Sequence, residues 1–174
     1  MIINNMNVKI IDGFLSRSDH YLIQSTMLGE NFNWSYVPYV AYANLEIDSE
    51  LDNFYFVHEF YNDHRPKSDH FDIVNPILKK LSASAVIRIK ANLHARTNTL
   101  VSFPYHTDAK GTGCYTAIYY VNTNDGYTEF ENGRKIESVE NRLLIFDENL
   151  SHRGTSCTDQ KIRCLINLNF YLGK

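Results

Sequence analysis

Residues 162–172, Ile-Arg-Cys-Leu-Ile-Asn-Leu-Asn-Phe-Tyr-Leu (IRCLINLNFYL), alternate between two different sets of side chains. Successive side chains of an extended strand point to opposite faces, so this alternation separates an apolar face from a mixed one. The apolar set is Ile162, Cys164, Ile166, Leu168 and Phe170. The other set is Arg163, Leu165, Asn167 and Asn169. The segment therefore predicts a strand that carries an arginine on a partly polar face.

Further short β-rich runs precede this strand from residue 85 onward. They are AVIRIKANLHA (85–95), CYTAIYYVN (114–122), YTEF (127–130), KIESVE (135–140) and RLLIF (142–146). Turn signals such as Thr-Asn, Asn-Asp-Gly and Asn-Gly separate them. Many short strands at this spacing predict a sandwich or a barrel.

The N-terminal half has a different pattern. A short strand is expected at 8–11, a helix that begins after the N-cap Ser16 and stops at Gly29, and a second helix that ends near Ser82. Residues 32–61 are rich in aromatic side chains, which form either core or a cover over a binding site. We expect one domain, with residues 1–84 as a helical and aromatic-rich support and residues 85–172 as a β core.

Composition excludes several classes of function. The 174 residues are 44% hydrophobic and 21% charged, with a net charge of -3, which gives no basic field for nucleic acid or anionic lipid. No signal peptide or transmembrane segment is apparent. The three cysteines include no CxxC pair, so neither a disulfide framework nor a zinc knuckle is indicated. We therefore expect a cytoplasmic protein that binds neither nucleic acid nor membrane.

The stretch PYHTDAKGTGCYTAIYY (104–120) holds a candidate metal site. In extended backbone His106 and Asp108 point to the same side, and His152 follows the strand that would return it to them. Two imidazoles and one carboxylate on one face of an octahedron are typical of non-haem Fe(II) oxygenases. The alternative is a turn with a capping aspartate. A second pair, His70 and Asp72, begins a predicted helix, where residues two apart diverge by about 200° and cannot chelate together.

Arg163 is the candidate anion-binding residue. A guanidinium donates two parallel hydrogen bonds to a carboxylate, which suits it to an anionic ligand beside the metal site. The alternatives are an edge arginine in water or in a local ion pair, and Lys161 as the carboxylate-binding residue instead.

These segments together resemble the Fe(II)- and 2-oxoglutarate-dependent oxygenases, specifically the prolyl-4-hydroxylase-like branch. The matching pieces, in the order of that family, are HTD (106–108), CYTAIYYVN (114–122), DGYTEF (125–130), NRLLIFDENLSHRG (141–154) and RCLINLNF (163–170). They lie within residues 85–172, about half of the chain. The resemblance implies a mainly β fold, a double-stranded β-helix or jelly roll, with supporting N-terminal helices.

The resemblance also implies roles for individual residues. The implied iron ligands are His106, Asp108 and His152. Arg163 is expected to hold the distal carboxylate of 2-oxoglutarate, and Tyr120 to hydrogen-bond the same group. Tyr119 points to the opposite face and is the less favoured candidate. Asn92 is a looser match to a position that contacts the co-substrate.

The implied activity is hydroxylation. Fe(II), O₂ and 2-oxoglutarate would act together and release succinate and CO₂, with ascorbate as a further candidate cofactor. The substrate would be a peptidyl proline, another amino-acid side chain or a small molecule, in a bacterial or phage-infected cell. Two alternatives stay open: a non-catalytic jelly-roll module that binds a metal or ligand, and a cupin-like metal enzyme that does not use 2-oxoglutarate.

Overall fold

The computed structural model describes residues 8–39, 54–108 and 113–173, which form two α-helices among short strands. The first elements are β1 (Lys9–Ile11), α1 (Arg17–Met27), β2 (Ser35–Val37), β3 (Tyr55–Asn62), β4 (Arg65–Pro66) and α2 (Asn75–Leu81). A 3-10 helix at Phe71–Val74 leads into α2. The later elements are β5 (Ala83–Ala95), β6 (Tyr115–Tyr120), β7 (Tyr127–Phe130), β8 (Lys135–Glu137), β9 (Leu143–Asp147), β10 (His152–Gly154) and β11 (Ile162–Leu172).

The strands form two antiparallel sheets. The major sheet has the order β1-β9-β6-β11-β5-β3-β2, with β4 paired to β3, and the minor sheet has the order β10-β7-β8. Isolated bridges between Ser102 and Thr155 and between His106 and His152 join the segment after β5 to the minor sheet. The two sheets enclose one set of buried side chains, as a jelly roll requires. The predicted double-stranded β-helix is confirmed.

The central strand β11 separates two cores. Its residues Cys164, Ile166, Leu168 and Phe170 belong to a large cluster that includes Ile23 of α1 and Ile77 of α2. Its residue Leu165 belongs to a second cluster between the sheets, formed by Ile118, Tyr120, Phe130, Ile136, Leu144, Phe146 and Leu165. The predicted alternation of β11 is therefore confirmed, and it leaves the Arg163 face directed into the space between the sheets.

The two helices cover the outer face of the major sheet. The Ser16 hydroxyl caps α1 by accepting a hydrogen bond from the Asp19 amide at 3.1 Å. Pro76 lies in the first turn of α2, where its missing N–H removes no helical hydrogen bond. Ser82 ends α2 in the left-handed conformation, with φ at 55°. Both helices lie where the sequence predicts them.

The predicted division at residue 84 falls at the start of strand β5. Strand β5 begins at Ala83, and β1, β2 and β3 from the N-terminal half all pair into the major sheet. The support region thus extends the β core as well as packing on it. In the aromatic-rich segment, Phe32 and Phe60 are buried core residues, whereas Tyr36 is exposed. Residues 40–53 of this segment lie outside the described residues.

Two further expectations concern bonding and membranes. Cys114, Cys157 and Cys164 are all buried and free, in agreement with the absence of a disulfide framework. Among the described residues, no helix combines the length and apolar character that crossing a membrane requires.

Asn141, in the turn before β9, connects this turn to the segment that leads into α1. Its side-chain oxygen accepts from the Leu15 amide at 2.8 Å and from the Tyr119 hydroxyl at 3.0 Å. Its amide nitrogen donates to the Leu15 carbonyl at 3.1 Å. Its φ of 58° lies in the left-handed region, which asparagine tolerates better than most residues.

Replacing Asn141 with alanine should therefore lower the free energy of unfolding by about 2–4 kcal/mol, because three hydrogen bonds are lost at a left-handed position. Urea denaturation followed by circular dichroism measures the change. The matched control is His64→Ala, since His64 is exposed and has φ at 61°. The control should lose under about 1 kcal/mol, and an equal loss in both variants would contradict a bonding role for Asn141.

Candidate active site

Three side chains from two segments, residues 106–108 and strand β10, converge beside the space between the sheets. One ligand atom each from His106, Asp108 and His152 lies within 4.8 Å of the other two. The Asp108 carboxylate is 3.8 Å from His106 Nε2 and 3.6 Å from His152 Nε2. Backbone bonds fix the two histidine segments, because the His106 amide donates to the His152 carbonyl at 2.9 Å and the reverse bond is 3.0 Å. The structure thus brings together the three residues that the sequence nominated.

The protonation states of these groups suit metal binding. Burial acts to raise the pKa of Asp108, but His152, a hydrogen bond from Asn167 and His106 together hold it below its ordinary value. Burial lowers the pKa of His152, against the opposing effect of Asp108. A carboxylate and a neutral imidazole are the forms that bind metal ions.

Neighbouring residues orient the carboxylate. Asn167, on the polar face of β11, donates to Asp108 Oδ2 at 2.8 Å. Arg88 of β5 donates to the Asp108 backbone carbonyl at 3.4 Å, and its guanidinium is 3.7 Å from Oδ1. Such outer partners fix the direction in which a metal ligand points.

Arg163 lies in the same cavity, with only 1% of its surface exposed. Its Nε donates to Ser138 Oγ at 2.8 Å, Nη1 to the Thr155 carbonyl at 3.3 Å, and Nη2 to Thr128 Oγ1 at 3.2 Å. In residues 8–39, 54–108 and 113–173, no carboxylate lies at ion-pair distance from this guanidinium. The arginine is therefore a buried charge that the described residues leave without an anion.

The two candidate tyrosines occupy opposite sides of β6. Tyr120 is fully buried between the sheets, donates to Thr128 Oγ1 at 2.9 Å, and has the Arg163 guanidinium 5.9 Å from its ring centre. Tyr119 lies on the helix side, where its hydroxyl donates to Asn141 and contacts His20. Lys161 is exposed, whereas Arg163 points inward. The geometry thus favours Tyr120 and Arg163 over their alternatives.

A cavity of about 230 Å³ joins the triad to Arg163. One wall is the inward face of β5, which the register places opposite the inward face of β11: Arg88 with Asn169, Lys90 with Asn167, Asn92 with Leu165, and His94 with Arg163. All four of these β5 side chains line the cavity.

Several buried polar atoms of residues that line the cavity have no partner within the described part of the chain. They are Asn92 Oδ1, His94 Nδ1 and Asn167 Oδ1. Because a buried polar atom without a hydrogen bond is costly, these atoms indicate that the cavity accommodates a polar ligand. Asn92, which the resemblance suggested as a co-substrate contact, lines the cavity, and its amide oxygen has no partner among the described residues.

The donor set fits Fe(II) and a carboxylate ligand. Two imidazoles and a carboxylate grouped on one side leave the other side of a metal ion accessible from the cavity. The unpaired Arg163 and the unpartnered polar atoms supply matching groups for an anionic molecule that extends from the metal into the cavity.

Comparison with solved structures identifies the fold. A prolyl hydroxylase from Trichoplax adhaerens, solved with a hypoxia inducible factor peptide fragment, aligns with a TM-score of 0.61 and 17% identity over 97% of this chain and 85% of that one. A Pseudomonas putida prolyl-4-hydroxylase gives 0.54 and 10% over 97% and 95%. The non-haem alpha-ketoglutarate-dependent epimerase SnoN from nogalamycin biosynthesis gives 0.67 and 9% over 95% and 78%.

The chain has the fold of the Fe(II)/2-oxoglutarate oxygenases. The sequence matches no protein-family model and no curated protein. Likeness at these identities concerns the fold, so the chemistry has to be argued from the site itself.

Sequence reasoning missed most of the residues around the predicted ones. Ser138, Thr128 and Thr155 hold Arg163, although nothing in their short polar segments distinguishes them from turn residues. The inward row of β5 was detectable, since Arg88, Lys90, Asn92 and His94 alternate with apolar residues in AVIRIKANLHA. Only Asn92 of this row was singled out from the sequence.

Gly126, in the DGYTEF segment, is required by the close packing around Arg163. A Cβ atom at this position would lie 2.5 Å from the Ser156 carbonyl oxygen and 2.6 Å from Arg163 Cδ. Both distances are far below contact distance, and the backbone oxygen cannot rotate away.

Gly126→Ala should therefore lower the free energy of unfolding by about 1–3 kcal/mol, through overpacking against Ser156 and Arg163. Chemical denaturation measures the effect. Gly173→Ala is the control, because a Cβ atom there is no closer than 3.4 Å to its neighbours. The control should stay within about 0.5 kcal/mol of the parent protein, and the same stability for both variants would refute the packing argument.

His94 is a buried imidazole whose protonation opposes folding. It stacks between Tyr55 of β3 and Phe103, with ring centres 5.7 and 4.7 Å away. Burial, together with Arg163 and Lys90, holds the pKa of His94 well below its ordinary value of 6.5. Below about pH 6.5 the unfolded chain therefore binds a proton at this residue that the folded chain does not.

In the metal-free protein, the free energy of unfolding should fall as the pH drops below 6.5, with His94 contributing up to about 1.4 kcal/mol per pH unit. His94→Phe keeps an aromatic ring between Tyr55 and Phe103 and should make this pH dependence shallower by that amount. Urea titrations between about pH 5 and 8 measure both slopes. His152 contributes equally in both proteins, so identical slopes would count against a neutral buried His94.

Proposed function

We propose that this protein is an Fe(II)- and 2-oxoglutarate-dependent dioxygenase that hydroxylates its substrate and releases succinate and CO₂. The observation that supports this most strongly is Arg163, a buried guanidinium without an anion among the described residues, in the cavity that the His106, Asp108 and His152 triad lines. Leaving such a charge unpaired costs several kcal/mol, which a carboxylate ligand would offset. A jelly roll that only binds a metal has no need of this arrangement.

Each residue would have a separate task. His106, Asp108 and His152 would hold Fe(II), which when bound supplies the activation of O₂ and the oxidative decarboxylation of 2-oxoglutarate. Arg163 would bind the distal carboxylate through the edge of its guanidinium that faces the cavity. Ser138, Thr128 and Thr155 keep that group in place, as their hydrogen bonds to it show.

Tyr120 and Asn92 would complete the co-substrate site. Burial raises the pKa of Tyr120, against opposing effects of Arg163 and Thr128, so its hydroxyl keeps the proton and remains a donor. That hydroxyl now donates to Thr128, within reach of the Arg163 end of the cavity. The Asn92 amide lies on β5, level with Tyr120 across Leu165 of β11, and its oxygen has no partner among the described residues. The two side chains would thus contact the co-substrate from the same face of the major sheet.

We do not restrict the proposed substrate class to peptidyl proline. Two of the aligned structures are prolyl hydroxylases, but SnoN is an epimerase with a higher TM-score. The substrate would be an amino-acid side chain of a peptide or a small molecule of similar size. Three free buried thiols agree with action in the reducing cytoplasm.

The purified protein should release succinate from 2-oxoglutarate when Fe(II) and O₂ are supplied. His106→Ala and Arg163→Ala should each abolish this release, since one removes a metal ligand and the other the carboxylate partner. Arg163→Lys should retain activity with a Michaelis constant for 2-oxoglutarate raised roughly tenfold to a hundredfold, because one ammonium replaces a bidentate contact. Succinate is quantified by mass spectrometry, and the binding of 2-oxoglutarate to the Zn(II) protein by calorimetry.

Arg134→Ala is the matched control, since it removes the charge of an exposed arginine in the turn between β7 and β8. It should behave as the parent protein does. Normal turnover by His106→Ala and Arg163→Ala would overturn the proposal. Binding of 2-oxoglutarate that needs neither metal nor Arg163 would instead support the non-catalytic binding module.

A further inference from the structure

Two cations lie at the end of the cavity opposite Arg163. Arg88 and Lys90 are two residues apart on β5, so both point inward, and both line the cavity with the triad. In the register of β5 with β11, His94 lies opposite Arg163. Lys90 is four residues from His94, which is about 13 Å along the strand. The cavity therefore has a positively charged region at each end, and the Asp108 carboxylate lies 3.7 Å from Arg88.

Neither cation is fully neutralised. In the described part of the chain, the Lys90 ammonium has no hydrogen bond and no carboxylate at ion-pair distance, and lies 5.6 Å from the Tyr55 ring centre. Arg88 uses only Nη2, towards the Asp108 carbonyl and Asn169 Oδ1. Glu59 stands opposite Lys90 on β3, but it is exposed and accepts a hydrogen bond from Asn62.

The cavity charges do not balance even with metal and co-substrate in place. The charges of Fe(II) and Arg163 would be matched by Asp108 and the two carboxylates of 2-oxoglutarate. Asp108, whose carboxylate lies 3.7 Å from Arg88, is then committed to the metal. Among the described residues, this leaves Arg88 and Lys90 facing the cavity with the exposed Glu59 as the remaining counter-charge. A partly buried pair of like charges in this state favours an anionic ligand.

We propose that Arg88 and Lys90 bind a carboxylate of the substrate that is oxidised, so that this enzyme acts on a free carboxylic acid or on an acidic residue of a peptide. This inference rests on the proposed function, because the charge count assumes the metal and the co-substrate. A carboxylate fits this pair of cations, because the guanidinium edge supplies parallel hydrogen-bond donors and the ammonium supplies a point charge. The cavity of about 230 Å³ leaves room for a small group at this end once the co-substrate occupies the other.

The test compares acids with their neutral amides. The protein loaded with Zn(II) and 2-oxoglutarate, which performs no oxidation, is titrated by calorimetry with L-proline and L-prolinamide, then with L-alanine and L-alaninamide. A second arm uses end-blocked tripeptides with a central Glu or Gln. In one of the two arms, the acids should bind at least tenfold more tightly than their amides. A preference in the first arm identifies a free carboxylic acid as the ligand, and a preference in the second identifies an acidic residue of a peptide.

Variants of Lys90 test whether the preference for acids arises at this end of the cavity. Lys90→Met should reduce the preference for acids over amides roughly tenfold to a hundredfold, and Lys90→Arg should retain most of it. Lys79→Met is the charge-matched control, since Lys79 is exposed on α2 and lies outside the cavity lining, and its preference should be unchanged. Thermal melting confirms that each variant is folded.

The outcomes separate the two proposals. Equal binding of acids and amides, no binding by any acid in either arm, or an unchanged preference in Lys90→Met overturns the carboxylate site, while Zn(II) and 2-oxoglutarate still bind. A preference for acids that depends on Lys90, in a protein that binds no 2-oxoglutarate, supports the carboxylate site and overturns the proposed function instead.

Discussion

The charge of Arg163 is the constraint around which the inner face of the fold is arranged. A guanidinium that is 1% exposed has to be surrounded by acceptors, and it obtains Ser138, Thr128 and the Thr155 carbonyl from segments adjoining the minor sheet. These bonds tie β11 of the major sheet to the opposite sheet. Gly126 and Gly154 lack side chains where the arginine passes, and a Cβ atom at Gly154 would be 3.2 Å from Nη1. The remaining positive charge is directed into the cavity, because the described residues provide no carboxylate for it.

Hydrogen bonds also fix the positions of the three triad residues. His106 and His152 belong to neighbouring extended segments joined by a reciprocal pair of backbone hydrogen bonds, so their rings are held side by side, 4.8 Å between centres. Asp108, two residues along, turns to the same side and is held by Asn167 of β11. The strand that carries Arg163 therefore also orients a triad residue. The triad and Arg163 are thus fixed relative to each other by one strand.

Much of this arrangement could be predicted from the sequence, and the limits have physical causes. The faces of β11, both helices and the convergence of His106, Asp108 and His152 follow from periodicity and from the order of motifs. Residues that act through tertiary contacts have no recognisable pattern in the sequence. Ser138 and Thr128 are examples, because their hydroxyls gain a role only when Arg163 of β11 packs against them. The sheet membership of β1, β2 and β3 was also missed, because short apolar runs do not specify their pairing partners. Lys90 was passed over because an isolated lysine in a strand normally faces solvent.

The pairing of β5 with β11 also accounts for why one cavity has two charged ends. In an antiparallel ladder without a bulge between Arg163 and Asn169, inward residues of both strands face each other at every second position. His94 and Arg163 form one end of this row, and Arg88 and Asn169 form the other. The metal triad lies alongside the row, with Asp108 reached by Asn167 and Arg88 from the same two strands. The backbone hydrogen bonds between β5 and β11 thus fix the positions of both charged ends of the cavity.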